Sequence, residues 1–295
     1  MNRERLLIVD GHAYAYRAFY AIRDLRSPSG QPTNAIYGFV KMLEKMRSAI
    51  APTHLIVVWD GGLSKVRMEA LPEYKAHRPE MPVDLSPQLD EIGNYLKAAG
   101  LAAFCRAETE ADDYIACLAR HAEKADWQVV IASSDKDFMQ LVSARIGLLN
   151  PNDKSEKIWT RAEVVIKSGV EPEQISDWLA LMGDAVDNIS GVPGIGPKTA
   201  AELLKNFGTV GKLLTQLSEV KSEKIRAALQ GAVETVRRNL DLVRLHEIEC
   251  EFVPEKLLPQ PVDREKLASL FRQWGFKGLL AALEKTPATQ QTELI

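Results

Sequence analysis

The sequence predicts an α/β protein, with a parallel sheet covered by helices in the first half of the chain and a helical second half. Three observations carry this prediction. Short β-rich apolar runs alternate with helical patterns up to about residue 160. Most of those runs end in aspartate. Beyond them the strand signals fade and helical periodicity takes over. With 295 residues, 46% of them hydrophobic, the chain can build the core of one large domain or two smaller ones.

In chain order, residues 6–10 (LLIVD), 54–60 (HLIVVWD) and 129–135 (VVIASSD) read as strands, with 102–105 (AAFC) as a further one. Between them, residues 34–50 carry Ile36, Phe39, Val40, Leu43 and Met46 at helical spacing, and 86–100 read as a second crossover helix. Residues 172–183, 197–208, 224–245 and 264–276 are helical in pattern. The chain thus divides into a core over 1–170 and a helical region over 171–285, with a polar tail, 286–295, expected to be disordered. No apolar run approaches the length of a membrane span, and the N-terminal one is too short for a secretory signal, so a cytoplasmic protein is expected. The three cysteines, Cys105, Cys117 and Cys250, are far apart and form no C-x-x-C pair. Reduced thiols are expected, not a disulfide or a zinc site.

Residues 108–116, ETEADDYIA, place Glu108, Glu110, Asp112 and Asp113 just ahead of a helical run. Acids in a first turn meet unpaired N–H groups at about 0.3–1 kcal/mol each. That explains one or two of them. Adjacent carboxylates repel, so the rest need a cation or a very wet surface; on this segment alone capping and metal binding fit equally. The strand ends tip the balance. Ligands of an open parallel sheet bind beyond the carboxyl ends of its strands, where Asp10, Asp60 and Asp135 all sit if the strands share one sheet. Asp137 follows two residues on. The start of the helix carrying Glu110, Asp112 and Asp113 opens on the same rim, and Asp184 and Asp187 lie three apart, on one face if the turn after 172–183 is helical. The set holds nine acids with no His or Cys, which selects Mg²⁺ or Mn²⁺ over zinc. Two such ions about 3.5–4 Å apart can activate a water, grip a phosphate and stabilise a leaving oxygen, so phosphodiester hydrolysis is the leading chemistry. The formal charge is -3, but with these nine of the 40 acids set aside the remaining 31 face 37 basic residues, a mildly basic surface of +6.

Residues 61–82 carry Lys65, Arg67, Lys75, His77 and Arg78 around Tyr74, too long a stretch for a simple turn. Beside an acidic rim this reads as a phosphate-contacting lid with an aromatic ring for base stacking, ordering on substrate. Residues 190–208, SGVPGIGPKTAAELLKNFG, read as a glycine hairpin feeding a helix that starts at Pro197 and closes at Gly208. Backbone N–H groups there can approach a phosphate, and Lys198 adds charge.

These segments, in this order, resemble the 5′ nuclease domain of bacterial DNA polymerase I, within the flap endonuclease family. The resemblance rests on LLIVDGHAYAYRAFYAI, VVWDGG with the following PEYKAHRP, ETEADDYIA, IASSDKDFMQLV and LALMGDAVDNISGVPGIGPKTAAELL, and it spans about residues 5–285. It implies a PIN-like α/β core, a helical arch at about 61–82, and a helix-3-turn-helix (helix-hairpin-helix) DNA clamp at about 175–208. The implied activity is structure-specific 5′-3′ exonuclease and 5′-flap endonuclease cleavage of DNA in replication and repair, with RNA primer removal. Implied as metal ligands are Asp10, Asp60, Glu110, Asp112, Asp113, Asp135, Asp137, Asp184 and Asp187, holding two or more Mg²⁺ or Mn²⁺ ions. Lys75 and Arg78 match catalytic arch residues, and Arg17, Arg67 and Tyr74 fall at substrate-contacting positions. Gly191, Val192, Gly194, Ile195, Gly196, Lys198 and Thr199 match the DNA-gripping hairpin, which implies K⁺ there. The implied partners are 5′-flap, nicked or branched DNA, RNA–DNA primer junctions and a DNA polymerase, with the protein a monomer and no membrane involved. Ser134, Gly61, Ala185, Val186 and Ser190 depart from the pattern without removing a carboxylate. A PIN-like ribonuclease would not need the arch and hairpin, and a non-catalytic branched-DNA module would be free to lose acids that are all present.

Overall fold

The computed structural model describes residues 4–285, so the expected disordered tail lies outside the described residues. Six strands form one sheet in the order β3-β2-β1-β4-β5-β6. They are β1 (Arg5–Asp10), β2 (His54–Val58), β3 (Ala102–Phe104), β4 (Gln128–Ala132), β5 (Ile146–Leu149) and β6 (Ile158–Trp159). The first five run parallel and β6 closes the edge antiparallel. The four expected strands are present. β5 and β6 went unread, and their pairing with β4 and β5 is what makes them strands.

The strands are apolar on both faces because both faces are covered. Leu6, Ile8, Val129 and Ile131 point into one layer, with the helix Ala111–Lys124 and the helices of residues 175–243. Leu7, Val9, Val130 and Ala132 point into the other, with the helices Asn34–Ile50, Ser86–Ala98 and Arg264–Trp274. Trp274 Nε1 donates to Glu91 at 2.9 Å, so the late helix Arg264–Trp274 is fastened to the first half of the chain. Among the described residues no helix is long and apolar enough to cross a membrane.

Three local expectations are corrected. Residues 224–245 form two helices, Glu223–Gly231 and Val233–Val243, broken where Gly231 weakens the helix and the Ala232 N–H closes a tight bond to Leu229 O at 3.1 Å. The stretch after the helix Ile175–Met182 is not a helical turn: Gly183–Asp184 pairs antiparallel with Ile189–Ser190 as a small β-hairpin. A Cβ on Gly183 would lie 2.3 Å from Gly191 N, so this hairpin and the loop that follows need glycine to pack. Finally, Cys117 and Cys250 are joined as a disulfide across 133 residues of sequence, and only Cys105 is a free thiol. Residue spacing could not anticipate that pairing, because it depends on how the late segment 244–253 crosses the helix Ala111–Lys124.

Candidate metal centre

The strand order reverses between β1 and β4, the switch point at which an open α/β sheet leaves a crevice. Asp10 ends β1 and Asp135 follows β4, so the two carboxylates stand on either side of it. Four of the rim acids are each aimed by a backbone N–H. Asp10 accepts from Ala13 N at 3.0 Å, Asp60 from Gly62 N at 2.9 Å, Asp135 from Asp137 N at 2.9 Å and Asp184 from Val186 N at 3.0 Å. Turn or cap geometry and convergence therefore coexist, and Asp10 is at once the N-cap of the helix Gly11–Ala21 and a wall of the crevice. The crevice is a cleft of about 380 Å³ lined by Asp10, Asp60, Asp112, Asp135, Asp184 and Asp187. Asp137 joins from below: its carboxylate oxygen and those of Asp184 and Asp187 lie within 4.8 Å of one another.

Burial pushes the Asp10 carboxyl up to about 6, against hydrogen bonds from Ala13 and Ser133 that lower it and repulsion from Asp135 and Asp60 that adds to the rise. Burial, then the negative charge of neighbouring acids, also raises Asp112, Asp135 and Asp137. Asp137 Oδ1 is buried without a hydrogen-bond partner. An all-oxygen donor set, mutual repulsion and a bare buried carboxylate oxygen fit a hard divalent cation.

Two of the nine acids turn away from the cleft. Glu110 and Asp113 face Arg67, whose Nη1 reaches Glu110 at 2.7 Å and Asp113 at 2.6 Å while Nη2 reaches Asp113 at 2.8 Å. Arg67 is only 3% exposed, so in this structure it is an internal counter-charge and not the exposed side chain expected beside a substrate. Tyr74 is buried likewise. It is 3% exposed, its hydroxyl is 3.5 Å from Glu110 and 3.4 Å from Asp187, and no ring face is open to a base.

The segment expected to be a lid that orders on substrate lies down on the acids in this structure. It holds one short helix, Lys65–Ala70, followed by turns. Lys75 N donates to Asp187 O at 3.0 Å and Asn188 Nδ2 to Glu73 O at 2.8 Å, with both Lys75 (φ 57°) and Asn188 (φ 58°) in the left-handed region. That backbone is costly for residues other than glycine and is held here by the surrounding contacts. Lys75 Nζ lies 3.3 Å from Glu110 and 3.8 Å from Asp112. Burial alone would lower the Lys75 ammonium, but Asp112, Glu110 and Asp187 outweigh it and raise it. Arg78 Nη2 reaches Asp187 at 2.7 Å.

Sequence reasoning missed three participants. Lys136 pairs with Asp184 at 2.8 Å, and its place between Asp135 and Asp137 was the available signal. His12 Nδ1 accepts from Asp60 N at 3.1 Å, and Ser133 Oγ donates to Asp10 at 2.7 Å while accepting from Asp135 N at 3.1 Å; neither has a sequence signature. Arg17 does not line the cleft itself but donates to Asn152, which does, at 2.6 Å. In the glycine loop, Val192 and Ile195 are buried anchors, whereas Gly194 (φ 81°) and Gly196 face open space ahead of the helix Pro197–Phe207, where Lys198 is exposed and Thr199 half-buried.

The raised carboxyls fix a pH dependence. An acid whose folded pKa lies above its unfolded value favours the fold when protonated, and that stability is lost as pH rises through the folded pKa. For Asp10, moving from 3.8 to about 6, this corresponds to about 3 kcal/mol lost between roughly pH 4 and pH 6. In chelator, Asp10→Asn should flatten that part of the Tm profile, and added Mg²⁺ should lift Tm at pH 7. Identical profiles for variant and wild type would show that Asp10 carries no such strain.

The model of the family described as 5′-3′ exonuclease, N-terminal resolvase-like domain, matches residues 5–169, and that described as 5′-3′ exonuclease, C-terminal SAM fold, matches residues 170–265. The chain is 37% identical to a 5′-3′ exonuclease of Aquifex aeolicus over 95% of each protein. It is also 37% identical to the DNA polymerase I of Bacillus caldotenax, over 99% of this chain and 34% of that one, and so spans about a third of the polymerases it matches. Among solved structures, a flap endonuclease of bacteriophage T5 in a complex with DNA and metal ions shares the fold at TM-score 0.69 and 23% identity, over 99% of both chains. The catalytic core of Rad2 in complex with DNA substrate does so at TM-score 0.64 and 17% identity, over 99% of this chain and 92% of that one.

Proposed function

The chain belongs to the 5′-3′ exonuclease family, and from that premise we propose that it hydrolyses DNA phosphodiester bonds as a structure-specific 5′-3′ exonuclease and 5′-flap endonuclease. Its setting would be DNA replication and repair in the cytoplasm, on flapped, nicked or branched duplexes and RNA–DNA primer junctions, acting as a monomer beside a DNA polymerase. The observation that carries the reading is the convergence of Asp10, Asp60, Asp112, Asp135, Asp137, Asp184 and Asp187 at the switch point of the sheet. These seven would hold two or more Mg²⁺ or Mn²⁺ ions, with Glu110 and Asp113 acting from behind through Arg67. Bound divalent ions supply the water activation and charge neutralisation that phosphodiester hydrolysis needs.

The chain's own groups do the rest. Arg78, paired with Asp187 on the cleft wall, would offset the developing charge of a phosphate, and Lys75, buried here against Glu110 and Asp112, would join it once its segment shifts to expose the ammonium. The backbone N–H groups of the loop 191–196 and the exposed Lys198 would grip duplex phosphates, with K⁺ bridging the loop to DNA. Lys198→Ala should weaken duplex binding and make the salt dependence shallower by about one unit of slope. A salt slope equal to wild type would remove Lys198 from the interface.

The deciding assay compares a 5′-labelled flap with a matched unstructured single strand, in Mg²⁺ or chelator, for wild type and Asp112→Asn. Metal-dependent cutting at the flap junction, lost in the variant, is the expected result. Preferential cutting of the single strand would favour a ribonuclease-like activity, and tight flap binding without cleavage a binding module.

A further inference from the structure

The proposed hydrolysis makes no use of the link between Cys117 and Cys250. Cys117 lies on the helix Ala111–Lys124, whose first turn carries Asp112 and Asp113. Cys250 lies on residues 244–253, a strap with neither helix nor strand. Side chains from elsewhere in the fold, not the strap itself, satisfy the strap's backbone. Arg67 donates to Arg244 O at 2.8 Å, Arg120 to Leu245 O at 3.2 Å and Arg106 to Glu249 O at 3.4 Å, while Asp113 accepts from His246 N at 2.8 Å. Buried Leu245, and Phe252 packed against His121 and Trp127, hold the strap together with those bonds and the covalent link. The Cα atoms of the two cysteines are 6.3 Å apart, a separation that a disulfide spans without backbone movement. Cys117 is 5% exposed but Cys250 is only partly buried, so one sulfur is open to a small thiol or disulfide.

We propose that Cys117 and Cys250 form a reversible redox clasp that locks the strap onto the helix bearing the cleft acids. To close it, the Cys250 thiolate attacks a low-molecular-weight disulfide, expelling one thiolate and leaving a mixed disulfide. The Cys117 thiolate then attacks the Cys250 sulfur and expels the second. The protein pair loses two electrons and two protons, and the small disulfide is reduced to two thiols; a small dithiol reverses both steps. In reducing compartments disulfides of this kind are transient or redox-sensing. When closed, the clasp constrains a loop of 133 residues that includes the hairpin of Asp184 and Asp187. It also keeps the strap against Arg67 and Asp113, the pair that backs the first turn of the Asp112 helix.

The test equilibrates the full chain in glutathione redox buffers, quenches with acid, and counts alkylated thiols by mass after denaturation. One alkylated thiol, Cys105, is expected at the oxidised extreme and three at the reduced extreme. Oxidation should raise Tm by roughly 5–10 °C. Cys105→Ser should keep that shift, and Cys250→Ser and Cys117→Ser should each abolish it. Three alkylated thiols at the oxidised extreme, or the same Tm in both states, would overturn the clasp. So would one equivalent of zinc retained by the reduced protein and lost in Cys250→Ser, because His121 Nδ1 lies 3.6 Å from Cys117 Sγ and 3.7 Å from Cys250 Sγ and the trio would then be a metal site. None of these readouts depends on cleavage, so the clasp and the nuclease reading stand or fall separately.

Discussion

Asp137→Asn is expected to lower flap cleavage on the order of 10²–10³-fold and, in chelator at pH 7, to raise Tm. The two effects have one cause. Burial and then Asp135, Asp112, Asp184 and Asp187, all acids, push the Asp137 carboxyl upward, and one of its oxygens is buried with no hydrogen-bond partner. Ionised Asp137 without a cation therefore opposes the fold, and an amide of the same shape relieves that cost. With the cation present the sign reverses, since the carboxylate is then the ligand. Mg²⁺ should accordingly raise the wild-type Tm by more than the variant's. Differential scanning in chelator and in Mg²⁺, alongside flap cleavage, reads all of this. A variant that loses stability in chelator yet keeps wild-type cleavage would make Asp137 a structural residue and take it out of the metal set.

Much of this cleft was legible because its physics is local. A continuous apolar run ending in aspartate identifies both a buried parallel strand and the acid at its carboxyl end, and β1, β2 and β4 each delivered one to the same rim. The helix start at Asp112 was legible from its charge, and the loop 191–196 from its glycines. What escaped depends on contacts between distant segments. The hairpin that aims Asp184 has strands of two residues, too short to carry a period, and it forms because Asn239 Nδ2 from a later helix donates to Ser190 O at 2.8 Å and Ala180 O at 3.1 Å. A basic residue near an acidic rim can face outward to phosphate or inward to carboxylate, and the sequence of residues 61–82 is the same in either case. Burial separates the two for Arg67, whose acceptors come from residues 110, 113, 242 and 244.

Arg67→Ala should accordingly destabilise the protein by about 3–5 kcal/mol, the typical cost of leaving buried carboxylates without their partner. The guanidinium has five N–H donors, and five contacts take them up: Glu110, Asp113 twice, and the carbonyls of Leu242 and Arg244, all at 2.6–3.0 Å. Burial would lower its pKa, yet Asp113 and Glu110 overcome this and raise it, so the charge is permanent. Lysine keeps the charge without the fork, and Arg67→Lys should recover only part of the loss because the carbonyls of Leu242 and Arg244 stay unsatisfied. The triple change Arg67→Met, Glu110→Gln and Asp113→Asn removes the charges together and should be markedly more stable than Arg67→Ala alone. Urea denaturation measures these differences, and duplex affinity below the unfolding transition separates the two roles available to Arg67. An internal counter-charge predicts wild-type affinity in whatever fraction remains folded. Unchanged stability with weakened DNA binding would instead put the guanidinium on the substrate, and the segment 61–78 would then have to lift off the carboxylates before DNA could enter the cleft.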